Sequence, residues 1–380
     1  MIILIASDSY KECMSAIQIT DIIASSVHQI YPEAKIIKAP LSDGGEGFED
    51  IIVSNAKGRH IACEAHNSIG KTIKSRYGAL PDGKTAIIEM AKTCALADIP
   101  LPLRNPLKTS SFGVGEQILH AAQNGYRNII IGLGDTGTHD MGLGLLQALN
   151  FRFYDADQKL LPAAKGAKQL IQIAKIDDCA VPSVIKECNF TVAGDVRNTL
   201  LGKNGAAYTY APQKGATPDM VEELECGASN FAKMIKEYMK KDIADIKGGG
   251  AAGGVGAAVS GLLSAKIKSG INLAIRYSSI EQHLRNGVDL VITGEGKMDG
   301  QSLKGKAPIG MSKLCAKYNT PIIAFCGQLG KSRRLQKHFS AIKEISPRNL
   351  TLTEAIRTAP QNLKTAVEKT ISEFFAVKTD

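Results

Sequence analysis

The chain has 380 residues, 44% hydrophobic and 22% charged, more than one hydrophobic core usually serves, so two domains of ordinary globular type are expected. Its formal net charge is +9, yet no basic run or basic stripe interleaved with aromatics appears, which argues against nucleic acid and leaves a surface that favours small anions. Cysteines at 13, 63, 94, 179, 188, 226, 315 and 326 form no C-x-x-C and have no nearby histidine pair, so reduced thiols of a cytoplasmic protein are expected rather than a zinc site.

In chain order, MIILIASDSYK carries a short apolar run that meets a charge at Asp8 with no basic stretch ahead of it, so it reads as a strand, IILIA, rather than a signal peptide. An apolar-periodic segment from about Ser15 to Ile30 follows, then the strand AKIIKAP (34–40), the turn DGGEG (43–47) and a helical pattern through Asn55. From about 66 to 285 the texture changes, with a hairpin-like pair around Pro81-Asp82-Gly83, long Gly/Asn-rich loops and the strands NIII (128–131) and FTVA (190–193). The uncharged run 248–265 reaches spanning length, but seven of its 18 residues are glycine, which makes it a loop entering a helix and not a membrane span. DLVITGEG (289–296), PIIAFCG (321–327) and AIKEIS (341–346) then alternate with helical patterns again.

This alternation predicts an α/β protein: a discontinuous Rossmann-like three-layer domain from residues 1–65 and 286–380, with a second α/β domain inserted at 66–285 and an active-site cleft between them. The polar loops fall where strands end, the place at which open parallel sheets bind ligands.

In DSYKECMSA (8–16) the strand ends in Asp8, Ser9 and Lys11 just before a helix, an arrangement suited to an anion and equally to a plain polar cap. DGGEG repeats it: Gly44 and Gly45 let a ligand approach the backbone, and Asp43 and Glu46 suit a metal or a hydroxyl, or the whole is a capped turn. The segment 194–216 is crowded with Asp195, Asn198, Asn204, Gln213 and Lys214; Asp195 has the chemistry of a base for a substrate hydroxyl, or of an Asx turn. GQSLKGKA (300–307) follows P-loop spacing until Ala307, which lacks the hydroxyl that ligates magnesium. Lys306 near a helix start still suits a phosphate, and Glu295 or Asp299 a metal or a hinge ion pair. Gly132, Gly134 and Gly137, with Asp155 further on, fit G-x-G-x-x-G. A dinucleotide helix starting there would enclose Gly142 and Gly144, at about 1 kcal/mol each relative to alanine, so a wider loop with its helix starting near Met141 is expected.

Taken together, DSYKE (8–12), DGGEG (43–47), IEMA (88–91), TSSFGVGEQI (109–118), GDVRN with GKNGA and APQKGA (194–216), GGAAGGVGAA (249–258) and VITGEGKMDGQSLKGKAPIG (291–310) resemble the type I glycerate kinase family over nearly the whole chain. The resemblance implies ATP-dependent phosphorylation of glycerate on a hydroxyl, with Mg2+, in a two-domain α/β enzyme whose site lies between the domains. On that basis Asp195, Lys11 and Lys306 are the catalytic candidates, the lysines neutralising phosphate and Asp195 orienting or deprotonating the hydroxyl. Asp8, Ser9, Gly44, Gly45, Thr138, Asp140, Asn198, Asn204, Gln213 and Glu295 are expected to bind substrate or nucleotide, and Asp43, Glu46 and Asp299 to serve the metal. Glycerate and ATP are the expected partners, with no nucleic acid and no membrane, and a homodimer is compatible with the reading.

The loop at 134–142 departs from the family's usual G-G-S-x-T-N-D-G-G by Asp135, Thr136, His139 and Met141; Phe112 and Gly194 also differ from the expected types. A carboxylate beside a polyphosphate repels it unless a cation intervenes, so Asp135 is expected to weaken nucleotide binding if it faces the phosphates. Two alternatives follow from this loop: an NAD(P)-dependent dehydrogenase using residues 132–155, and a catalytically weakened, sugar-acid-binding member of the family.

Overall fold

The computed structural model describes residues 1–376 apart from 301, 305, 332, 348 and 349; Gln301 and Gly305 of the P-loop-like run lie outside the described residues. Chain order gives strands β1 (Ile2–Ile5), β2 (Lys35–Lys38), β3 (Arg59–His66), β4 (Thr72–Ala79), β5 (Thr85–Glu89), β6 (Asn128–Gly132), β7 (Arg152–Tyr154), β8 (Lys175–Asp177), β9 (Asn189–Ala193), β10 (Lys266–Lys268), β11 (Leu290–Met298), β12 (Ile322–Leu329) and β13 (Ala341–Glu344). The chain divides into two compact units, Met1–Asp43 with Ile271–Asp380, and Gly44–Gly270.

The first unit is built on a five-stranded sheet of order β13-β12-β11-β1-β2, parallel throughout. Ile3, Leu4 and Ile5 of β1 and Leu290, Val291 and Ile292 of β11 are fully buried, as central strands covered on both faces must be. Helix Ala16–Ile30 packs on this sheet because its apolar residues recur every four positions, at Ile19, Ile23 and Val27. Ser15 starts it with a capping box: its hydroxyl accepts the Gln18 N–H at 3.2 Å, and the Gln18 side chain accepts the Ser15 N–H at 2.9 Å. The long helix Leu352–Ala376 adds Leu363, Val367 and Ile371 to the same core at the same spacing. Each such side chain, fully buried, stabilises the fold by roughly 1.5–3 kcal/mol.

Counted within this unit alone, the strand order is 2-1-3-4-5, and the direction of winding reverses between β1 and β11. That reversal is the switch point at which doubly wound sheets bind their ligands, beyond the carboxyl ends of the two strands.

The second unit has a six-stranded sheet of order β10-β9-β6-β5-β4-β3. β5, β6, β9 and β10 are parallel, while β3 and β4 add an antiparallel edge. The predicted hairpin lies between β4 and β5: Asp82 accepts the Lys84 and Thr85 N–H groups at 2.9 and 2.8 Å, and Gly83 takes φ +66. Glu89, Gly132 and Ala193 stand in register across β5, β6 and β9, so the loops that follow leave the same edge of the sheet. Among the described residues no helix is long and apolar enough to cross a membrane.

Candidate active site

In the first unit the switch point carries a charged set. Beyond Ile5 the chain stays bonded to its neighbour, Ala6 N–H to Ile292 O at 2.8 Å and Asp8 N–H to Gly294 O at 3.0 Å. Close approach requires glycine at 294, since a Cβ there would lie 2.3 Å from the Phe325 carbonyl oxygen. Asp8 therefore emerges beside Gly294, in the middle of β11 and next to Glu295 in sequence. Its own Oδ1 accepts the Ser9 N–H at 2.7 Å, and its pKa is raised well above the ordinary carboxylate range, first by burial, then by the charges of Asp43 and Glu295, with Lys11 opposing. Glu295 is 4% exposed. It pairs through Oε2 with Lys306 Nζ at 3.2 Å, and its pKa is also raised, by burial first, with Lys306 opposing. Its buried Oε1 has no hydrogen-bond partner. Lys306 occupies the N-cap of helix Ala307–Lys317, so its charge stands beside a positive helix end.

Asp8, Ser9, Lys11, Asp43, Glu295 and Lys306, proposed from separate stretches of sequence, thus belong to one neighbourhood. Asp299 lies past the end of β11, 3.7 Å from Lys297, and its N–H is given to Ser302 Oγ at 3.1 Å.

In the second unit the glycine-rich loops are locked to one another. Gly44, at φ +99, lies so close to β9 that a Cβ would stand 2.7 Å from the Ala193 carbonyl oxygen, and its own carbonyl accepts the Gly134 N–H at 3.0 Å. Gly134 likewise leaves 2.2 Å between its would-be Cβ and Gly45 Cα. Asp135, exposed and at φ +56, accepts the Glu46 N–H through Oδ2 at 2.9 Å. Its carboxylate is therefore engaged in holding the neighbouring loop, a contact between residues 89 positions apart in the chain. Glu89, at the end of β5, accepts the Gly47 N–H at 3.0 Å and the Glu49 N–H at 2.8 Å.

Asp140 is fully buried. It accepts the Ser111 N–H and Oγ–H at 2.8 and 2.9 Å, the Gly144 N–H at 3.1 Å and the Gly142 N–H at 3.2 Å, so its side chain is spent on the loop. Lys214, also buried, donates to the Thr138 carbonyl at 2.6 Å from the interior of the same loop; burial brings its pKa down to about 8, with Asp140 and Cys94 opposing. His139 is buried, its Nδ1 unpartnered, and burial followed by the Lys214 charge holds it well below the usual histidine range. It is a neutral ring. Thr138 is enclosed too, its Oγ1 unpartnered. Asn198 donates to the Asn204 carbonyl at 2.6 Å and accepts from Tyr210 Oη at 2.8 Å, joining those two predicted residues within their own loop. Gln213 is exposed in the turn Pro212–Lys214, and Asp195 is half-buried just beyond β9.

Two family-like segments, TSSFGVGEQI and GGAAGGVGAA, also serve the 132–144 loop. Thr109 Oγ1 donates to the Gly137 carbonyl at 3.0 Å, and Met141 donates its N–H to the Gly253 carbonyl at 3.2 Å. β6 ends at Gly132 and the next helix begins only at Leu143, so Gly132, Gly134 and Gly137 do not open a helix and the dinucleotide fingerprint is not formed.

Among the described residues, Glu49, Asp50 and His60 have donor atoms within 4.8 Å of one another, as do Asp177, Asp178 and Cys179. The first group already has its positive charge: Arg76 Nη2 stands 2.6 Å and Lys92 Nζ 3.0 Å from Asp50.

Parallel strands that end in glycine-rich, acidic and lysine-bearing loops, with a charged switch point, define an α/β enzyme handling a small anionic ligand. The chain belongs to the glycerate kinase family, whose model matches residues 3–374. It is 38% identical to glycerate 2-kinase of Escherichia coli K12 and 37% identical to glycerate kinase of Bacillus cereus ATCC 10987, in both cases over 96% of this chain and 95% of the relative. It is similar in fold to the crystal structure of a Salmonella typhimurium LT2 protein assigned as glycerate kinase 2, with a TM-score of 0.86 and 37% identity over the whole of both chains.

Proposed function

We propose that this chain transfers the γ-phosphoryl group of ATP to a hydroxyl of glycerate, with Mg2+ as the companion cation. Family membership along residues 3–374, with relatives named glycerate kinase, carries the reading. The charge pattern at the switch point supplies its chemistry. Mg2+ takes hard oxygen donors, and Asp8, Asp43 and Glu295 offer only such donors. Their mutual repulsion, only partly offset by Lys11 and Lys306, and the unpartnered buried Glu295 Oε1 suit a divalent cation. These three therefore fit the ion better than the set Asp43, Glu46 and Asp299 drawn from sequence. Bound there, the ion would offset phosphate charge.

Lys11 and Lys306 present ammonium groups to the same phosphates, Lys306 exchanging its pairing with Glu295 for one with the nucleotide. Asp195 orients the glycerate hydroxyl and accepts its proton. Phosphoryl transfer depends on positioning and charge stabilisation more than on a strong base, which agrees with a site rich in lysine, backbone amides and carboxylates. A coupled assay of ADP release tests the reading: racemic glycerate with Mg-ATP is expected to give release well above the ATP-only background. No glycerate-dependent release across a range of protein concentrations would overturn it.

A further inference from the structure

Glu89 ends the strand of the IEMA segment, a motif that the phosphotransfer chemistry above leaves without a role. Its carboxylate is 1% exposed and bridges the first amides of helix Phe48–Ala56, Oε1 to the Gly47 N–H at 3.0 Å and Oε2 to the Glu49 N–H at 2.8 Å. The helix lacks a cap of its own, because Gly47 stands at its N-cap in the left-handed region with no side chain to offer. Glu89 fills that place from another strand, setting its carboxyl group at a positive helix end; burial pushes its pKa up to about 7, with Lys92 and the two amides opposing.

The charge is an expensive choice. Glu49, itself fully buried, stands next to it, and Asp50 lies on the same helix. Lys92 Nζ, 3.9 Å from both Glu89 Oε1 and Glu49 Oε2, reaches in from the segment after β5, Arg76 from β4, and His60 from β3, its Nδ1 2.7 Å from Glu49 Oε1. Burial of a carboxylate among others costs stability unless each charge is paired and bonded, and a neutral acceptor would cap the helix more cheaply.

What the carboxylate adds is a fixed position for the residues just before the helix. Gly44 is tied to Gly134, Glu46 to Asp135, and Gly47 to Glu89, so the DGGEG turn is held along its length and Glu89 is the anchor at its helical end. We propose that Glu89 is a positioning residue of the kinase reaction, acting through the Gly47 and Glu49 amides to set the glycine turn that follows Asp43. This rests on the glycerate kinase reading, and the experiment separates the two.

Glu89→Gln and Glu89→Asp are compared with the wild type by glycerate-dependent ADP release over a range of glycerate at saturating Mg-ATP, together with melting temperature and amide exchange at Gly47 and Glu49. The Gln variant places an NH2 against one of the two amides. Its kcat is expected to fall at least about tenfold with KM for glycerate changed less than about threefold, its two amides to exchange faster, and the Asp variant, which keeps the charge, to recover part of the loss. A Gln variant with kcat near the wild-type value, or unchanged exchange at both amides, overturns the proposal. A wild type without glycerate-dependent release overturns the function instead, and amide exchange then still decides whether Glu89 holds the turn. Should the Gln variant not fold, the Asp variant carries the test: its slower turnover with both amides loosened supports the anchor, and full activity with unchanged exchange contradicts it.

Discussion

Asp8 in the first unit and Asp140 in the second are both burdened by burial, yet their surroundings answer that burden in opposite ways. Around Asp140 four donors from Ser111, Gly142 and Gly144 converge on the carboxylate and pull its pKa back down. Around Asp8 the neighbours include two more carboxylates, Asp43 and Glu295, which push it further up. A carboxylate that the fold has satisfied is scaffold. One that the fold has left in repulsion is suited to a charge from outside, and under the proposed function the contrast separates the acidic residues offered to the cation from those that shape the loops.

The largest effect that would break this contrast is expected at Asp140. Asp140→Asn turns an NH2 toward amides that need an acceptor and leaves Lys214 without its countercharge, so a loss of about 3–5 kcal/mol is expected. Thermal unfolding should show this as a drop on the order of 10 °C; a drop below about 2 °C would remove Asp140 from the scaffold.

Lys214 offers the same test by pH. Its pKa falls from 10.5 to about 8 in the folded protein, so the folded state holds that proton less tightly than the unfolded chain. Stability contributed by this group therefore grows as pH rises from about 8 to 10.5, by up to about 3 kcal/mol. Denaturant unfolding of wild type and Lys214→Met across that window should show the difference between them shift in this direction. A constant difference would mean that the folded protein holds the Lys214 proton as tightly as the unfolded chain does, so that burial does not depress its pKa.

Asp8→Asn is expected to reverse the pattern of Asp140→Asn: at least about a hundredfold loss of turnover, about 2.7 kcal/mol of transition-state stabilisation, with no fall in melting temperature at pH 7.5, because the substitution relieves a half-buried carboxyl group of the repulsion of Asp43 and Glu295. A marked loss of stability with turnover intact would place Asp8 among the scaffold residues.

The alternation of apolar strands and periodic helices, the Pro81-Asp82-Gly83 hairpin and the capping box at Ser15 are all visible in sequence, since each depends on residues close together in the chain. The same holds for Asp8, Lys11 and Glu295, which follow apolar strands directly and so fall where parallel sheets bind. Asp140, Glu89 and Asp135 were not legible in this way. Ser111 lies 29 residues from Asp140 and Gly47 42 residues from Glu89, and which amide meets a carboxylate is settled only when the loops pack. Glu89 did carry a signal, an acid closing the otherwise apolar strand TAIIE. Lys214 stood in a crowded polar loop whose interior could not be told from its surface.

The smallest effect sharpens the comparison. Asp135→Gly removes the bond to the Glu46 N–H but relieves a side chain at φ +56, two changes of about 1 kcal/mol that oppose each other. Calorimetry should find Mg-ATP affinity within about twofold of wild type. A fivefold tightening, as expected if the carboxylate faced the phosphates, would return Asp135 to the ligand side of the contrast.

Transfer itself is most directly followed by 31P NMR of wild-type protein with Mg-ATP and racemic glycerate. The γ-phosphate signal is predicted to decline as a phosphate monoester of glycerate grows in equal amount. Growth of inorganic phosphate alone, or ATP unchanged, would contradict the assignment of this chain as a kinase acting on glycerate.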